Sequence, residues 1–309
     1  MNEQIVNLPS SGSRFNVEKP GKALALAVII YLAFCILLPL PRFDFELINR
    51  PTRALLVIVP TLAFMLLQLW LSISIVHLRL RSWQNALLSL VTFVVWVIVL
   101  LFVHPTLSMP HFVRLLTVVN RFALLGAALT FCLTCLGSLL SLIIREKNIL
   151  LPVALIAMPI DYLGAMTPTG FTHDMVMHAS KIVSNVSVSV PQVTVHGFSI
   201  SPIAYIGPGD VLFMALFFAA VQRFDLSERK TFWWMYSLLS ISMLLVVRLS
   251  NFPIGALVPM GLAVIIANIR AIKLKRDEVF AVAYAGALIL VLVIVFFTLS
   301  HRFLFHAHR

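Results

Sequence analysis

Nine apolar runs separated by short polar and basic connections organise this chain: 22–41, 54–77, 83–103, 113–144, 148–166, 206–222, 231–249, 253–270 and 278–300. Most reach the roughly 20 residues that an α-helix needs to cross a hydrocarbon core about 30 Å thick. Inside hydrocarbon each backbone N–H and C=O must be satisfied within the protein. The pattern therefore predicts an all-α, polytopic bundle of nine transmembrane helices. The fourth run exceeds a single span and carries Arg121, which predicts a tilted helix or one that starts in the interface. Only the connection 167–205 is long. Its stretch IVSNVSVSVPQVTVHGFSIS sets Val183, Val186 and Val188, then Val193, Val195 and Phe198, near a period of two, with Pro191 between them. That predicts a short β-hairpin outside the bundle.

Composition agrees with the pattern. Of 309 residues, 61% are hydrophobic and 11% charged, and the mean hydropathy is +1.01. Soluble domains carry about 25% charged residues, so a soluble enzyme is excluded as a class. The net charge of +11 does not point to nucleic acid, because the basic residues sit in the connections, where they set topology. With the N-terminus inside, the inner set is Arg14, Lys19, Lys22, Arg79, Arg81, Arg145, Lys147, Arg223, Arg229, Lys230, Arg270, Lys273, Lys275 and Arg276, which is 14. The outer set is Arg42, Arg50, Arg53, Arg114, Lys181, Arg248, Arg302 and Arg309, which is 8. The bias predicts an inside N-terminus and an outside C-terminus, and it puts the 167–205 connection outside. Residues 1–21 are polar and the first apolar run ends in LPLPR without a small-residue cleavage site, so no cleavable leader is expected. Cys35, Cys132 and Cys135 all lie in apolar runs, which favours buried thiols over redox or metal chemistry, despite the CxxC spacing of the last two.

Two carboxylates stand out because they lie well inside apolar runs: Asp161 in MPIDYLGAMTP and Asp210 in YIGPGDVLF. A charge there is costly, so an intramembrane acid points to function. Asp161 is 14 residues beyond Lys147 and Asp210 is 13 residues before Arg223. At 1.5 Å per residue both lie roughly 20 Å from the inner boundary, on helices running in opposite directions. Gly207, Pro208 and Gly209 precede Asp210; Pro159 precedes Asp161, and Pro168 with Gly170 ends its run. Irregular backbone at such depth is tolerated where it lines a protein-enclosed or wet cavity. Two carboxylates that meet in such a cavity share a proton. The ionised one can deprotonate an attacking water, and the protonated one can hydrogen-bond to a scissile carbonyl.

With these residues in view, the chain resembles the GxGD intramembrane aspartyl proteases, the family of presenilin and signal peptide peptidase. Gly207-Pro208-Gly209-Asp210 fits the GxGD motif at a helix start. The stretch from Asp161 to Pro168-Thr169-Gly170 and on to Met175-Val176 is similar to the segment after the first aspartate of presenilin. Pro253-Ile-Gly-Ala256-Leu257 resembles the family's PAL element, and Leu257, 13 residues from Arg270, falls at the same depth of roughly 20 Å. The chain departs from the family in four ways. Ile160 precedes Asp161 where the family has Tyr, and Tyr162 comes after it. Two extra residues separate Pro253 from Ala256. Four spans rather than five precede the first aspartate. One span is added at the C-terminus.

The resemblance covers 148–270 and divides the chain into an N-terminal bundle of four spans (1–147), a catalytic region (148–270) and an extra C-terminal span with its tail (271–309). It implies hydrolysis of peptide bonds in transmembrane helices, remnant signal peptides among them, by an Asp161/Asp210 dyad and water. It further implies that Gly207, Gly209, Pro253, Ala256, Leu257 and Tyr162 position the substrate, with the glycines permitting close helix approach. No metal or organic cofactor is implied. The expected partners are transmembrane polypeptides and the bilayer, not nucleic acid. The expected setting is a prokaryotic cytoplasmic membrane, with the catalytic helices oriented as in signal peptide peptidase. In presenilin, segments flanking the catalytic helices pair with the extended substrate, and 182–200 is the candidate for that β-addition here.

Other readings compete with this one. A proton- or cation-coupled transporter would use the same acid pair as an ion relay on broken helices. A membrane scaffold or chaperone would need neither acid. His173, Asp174, His178 and His196 match no zinc spacing and read as solvated loop residues, while HRFLFHAHR at the C-terminus reads as an interfacial tail. Asn120 and Gln222 suit interhelical hydrogen bonds, and Arg121 suits a helix carbonyl or a lipid headgroup.

Overall fold

A computed structural model of the chain describes residues 19–39, 42–43, 50–103, 111–166, 180–191, 194–195, 204–249 and 255–272, with Phe280 and Tyr284. The described chain is mostly helical. In order it runs α1 (Pro20–Leu37), β1 (Arg42–Phe43), α2 (Arg50–Val76), α3 (Ser82–Phe102), α4 (His111–Leu140), α5 (Leu150–Met166), α6 (Ser180–Val186), β2 (Val188–Val190), β3 (Thr194–Val195), β4 (Ala204–Ile206), α7 (Pro208–Arg223), α8 (Glu228–Leu249) and α9 (Leu257–Asn268). Among the described residues, four stretches are long and apolar enough to cross a membrane: Pro20–Leu37, Leu55–Val76, Ser82–Phe102 and Thr117–Ile143. The helices bearing the two acids are shorter, at 17 residues for α5 and 16 for α7, and α9 has 12. The ninth apolar run, 278–300, lies outside the described residues apart from Phe280 and Tyr284.

Packing follows from where the small and apolar side chains fall. Helix α4 lies centrally, against α3 on one side and α7 on the other, while α1 packs on α2 and α4. On the far side α9 sits between α5 and α8. One core gathers Phe217, Phe218, Met235, Leu257 and Met260 with the second half of α2; the other gathers Tyr31, Phe64, Leu71, Val188, Val190 and Val211. Helix α3 turns Leu87, Leu90, Val91, Val94, Ile98 and Leu101 outward as one exposed apolar stripe, the arrangement expected of a face turned to lipid. Its inner contact is made by Ser89, whose Oγ donates to Cys132 O at 3.2 Å. Cys35, Cys132 and Cys135 are buried free thiols.

Two helix crossings need glycine. A Cβ on Gly137 of α4 would collide with the Leu212 carbonyl and would lie 2.8 Å from Ala215 Cβ on α7. A Cβ on Gly261 of α9 would lie 2.9 Å from Met158 Cγ and 3.2 Å from Ala154 O on α5. Without those side chains the backbones approach closely, which dispersion rewards where lipid supplies no hydrophobic drive. The helix ends are fastened by polar groups. Arg223 Nη1 donates to Ser141 O and Ile144 O, each at 3.2 Å, satisfying carbonyls beyond the end of α4. Asn268 Oδ1 accepts the Ser227 N–H at 3.0 Å and its Nδ2 donates to Thr231 Oγ1 at 2.9 Å, joining α9 to α8. His77 Nε2 sits 2.7 Å from Glu228 Oε1, joining α2 to α8. Arg121 Nη2 reaches Leu100 O at 3.5 Å, so this cation faces the carbonyl-bearing end of α3.

The hairpin expected around Pro191 is corrected. Val183 and Val186 belong to α6; their spacing of three is helical, not that of a strand. Strand β2 pairs antiparallel with β4, matching Val188 to Ile206 and Val190 to Ala204, and β3 pairs in parallel with β1. Val188 and Val190 are buried on one face of β2, and its partner is the distant β4 rather than the nearby β3. Phe198 lies outside the described residues.

The Gly137 crossing gives a test. Gly137→Ala should lower the melting temperature of the detergent-solubilised chain, at a cost of about 1–3 kcal/mol for overpacking. Gly21→Ala, where an added Cβ meets nothing within 4 Å, should leave it unchanged or slightly raised.

Candidate functional site

Asp210 is placed by the turn that starts α7. Strand β4 runs into Gly207, which is extended at φ −64 and ψ 153, and Pro208 takes the first helical position. Asp210, at the third position, folds back so that its Oδ2 accepts the Gly207 N–H at 3.0 Å. The carboxylate thus satisfies an otherwise unpaired donor and sits at the positive end of the α7 dipole.

Asp161 is placed by a neighbour 96 residues on. Pro159 removes an internal hydrogen bond from α5 two residues earlier. The Asp161 carboxylate leaves its own helix and accepts the Leu257 N–H, through Oδ2, at 2.8 Å. Leu257 is the first residue of α9, so this N–H has no intrahelical partner. Gly255 makes the approach possible. It is buried, and a Cβ there would overlap the Asp161 carboxylate.

The two acids come together. Asp161 lies close enough to act electrostatically on Asp210, and both are half-buried. Each carboxylate therefore has one oxygen anchored by a backbone N–H at a helix start, and α9 packs against both α5 and α7. Beside each acid one residue is open: Ile160 is 61% exposed, and a Cβ on exposed Gly209 would meet nothing within 4 Å. Two carboxylates within electrostatic reach of each other are candidates for acid–base chemistry. Among the described residues no three His, Cys, Asp or Glu gather for a metal ion.

The structure brings together Asp161, Asp210, Gly207, Ala256 and Leu257. Leu257 contributes its backbone N–H, while its side chain is buried in the core cluster that also holds Met260. Gly207 and Gly209 make no close helix approach: a Cβ on Gly207 would meet only the Asp210 side chain, and one on Gly209 nothing. Close approach at the site belongs to Gly255, which sequence reasoning passed over as one of two extra residues in the PAL-like element. The signal was a glycine inside the PAL-like element, where the lack of a Cβ permits a close approach. Tyr162 is in α5. Pro253, His173, Asp174, His178 and His196 lie outside the described residues. No protein-family model, curated protein or solved structure matches the chain.

The anchoring role of Asp161 is separable from its charge. Asp161→Ala should leave the Leu257 N–H unpaired and destabilise the fold by about 1–3 kcal/mol. Asp161→Asn, which retains an acceptor oxygen, should melt much closer to the parent protein. Gly255→Ala should resemble Asp161→Ala, because its Cβ displaces the carboxylate.

Proposed function

We propose that this chain is an intramembrane aspartyl protease, with Asp161 and Asp210 as the dyad that hydrolyses peptide bonds in transmembrane polypeptides. The observation that carries the reading is the meeting of Asp161, Asp210 and the start of α9. The three elements that resemble the GxGD family in sequence converge in space, with one carboxylate bonded to the first N–H of the PAL-like helix.

The chemistry follows from the anchoring. The N–H of Gly207 orients one carboxylate and the N–H of Leu257 the other, so neither rotates freely. Two carboxylates brought to hydrogen-bond distance share a proton. The ionised member takes a proton from water as that water attacks the scissile carbonyl carbon. The protonated member donates a hydrogen bond to the carbonyl oxygen as charge develops there. Collapse of the tetrahedral species breaks the C–N bond, and the leaving nitrogen receives a proton from the dyad.

A substrate helix must open before any of this, because its carbonyls are already bonded. Strand β4 leads directly into Gly207 and pairs on one side with β2. Among the described residues its other edge has no strand partner, and there an extended peptide would pair close to Asp210. This reading moves substrate pairing to 204–206 rather than within 182–200.

The test is cleavage of a single-span model substrate in liposomes by the parent chain, by Asp161→Asn and by Asp210→Asn. Each variant should retain its fold and lose at least about 100-fold in rate. An aspartyl transition-state analogue should stop the parent protein. If the parent cuts no substrate and binds no analogue while either Asn variant abolishes a proton-driven flux, the ion-relay reading replaces this one.

A further inference from the structure

The outer face of α8 carries a second feature. Arg229, Lys230, Trp233, Trp234 and Ser237 line a groove of about 340 Å³. They recur at i, i+1, i+4, i+5 and i+8, which is a single stripe of one helix. The opposite stripe, with Thr231, Phe232, Met235 and Leu239, is buried. Two adjacent tryptophans at 48% and 43% exposure are poorly suited to water. They suit the level where hydrocarbon gives way to headgroups. The Trp233 ring is fixed edge-on against Phe232 at 5.4 Å and against Tyr236 at 6.1 Å, so that wall of the groove is preformed.

Arg229 and Lys230 stand one turn before the tryptophans and are exposed, and among the described residues neither has a carboxylate partner. The basic balance of the connections puts this end of α8 on the inner side. We propose that this groove binds an anionic phospholipid, with its phosphodiester held by Arg229 and Lys230 and its glycerol and upper acyl chain against Trp233 and Trp234. Guanidinium can bind two phosphate oxygens at once, and the ammonium adds a point charge. Ser237, two turns further along, is within the groove to hydrogen-bond the glycerol ester region. The inference rests on reading the apolar helices as bilayer-spanning and is independent of whether the chain cuts peptides.

The test is lipid retention by the full-length protein, measured by native mass spectrometry after exchange into mixed vesicles. Phosphatidylglycerol and phosphatidylcholine with identical acyl chains would be present in equal amounts. The parent chain should retain phosphatidylglycerol selectively. Each cation near the membrane surface contributes about a factor of five, so Arg229→Gln with Lys230→Gln should reduce that preference about 25-fold. The exposed pair Arg145→Gln with Lys147→Gln should leave the preference intact. Inorganic phosphate, lacking acyl chains, should compete far more weakly than the lipid. Equal retention of both lipids by the parent, or an unchanged preference in the Arg229/Lys230 variant, would overturn the proposal. So would equal loss in the Arg145/Lys147 control, which would assign the effect to general surface charge. Competition by inorganic phosphate as strong as by the lipid would reassign the site to a soluble phosphoryl ligand. Retention of neither lipid would overturn the proposal as well.

Discussion

A hydrogen bond across 96 residues, from the Leu257 N–H to the Asp161 carboxylate, fixes how the second half of the chain assembles. It gives the first donor of α9 a partner that the helix cannot supply. It also draws α9 against α5, where Gly261 lets the two backbones approach. Gly255 is the condition for both, since any side chain there would occupy the space of the carboxylate. The same bond fixes where the Asp161 charge sits, and Asp210 is within its electrostatic reach. Folding and candidate chemistry thus depend on one contact.

Helix starts recur as the means of placing charge. Asp210 folds onto the N–H of its own first turn, and Asp161 onto that of a neighbouring helix. In both cases unpaired backbone donors and the helix dipole favour a carboxylate that hydrocarbon would oppose. At the opposite end of α7 the complementary solution appears, with Arg223 donating to carbonyls beyond α4. A chain with few charged residues uses several of them on helix ends.

The helices were legible because membrane length and apolarity are local properties. Eight of the nine apolar runs coincide with described helices to within a few residues, although four are long and apolar enough to cross a membrane. The acid pair was legible for a related reason: equal residue counts from basic boundaries imply equal depth, whatever the packing. The strand pairing was not. Alternation over 183–198 signalled extended chain but carried no information on which strand would be its partner, which is β4. The glycines misled in a similar way. The GxGD pair drew attention as a site of close approach, whereas contact is made through Gly137, Gly255 and Gly261.

Local sequence was enough to set the helical segments, the placement of Asp161 and Asp210 within apolar runs, and the turn chemistry that holds Asp210 at the start of α7. Each of these depends on residues within one or two turns of each other and on the dimensions of a helix. Three outcomes needed the packed molecule: Asp161 bonds to α9, Leu257 serves through its backbone while its side chain fills the core, and Gly255 is the residue of closest approach. They depend on which helix faces lie together. Neighbours distant in the chain choose such faces by steric fit, which no local pattern encodes.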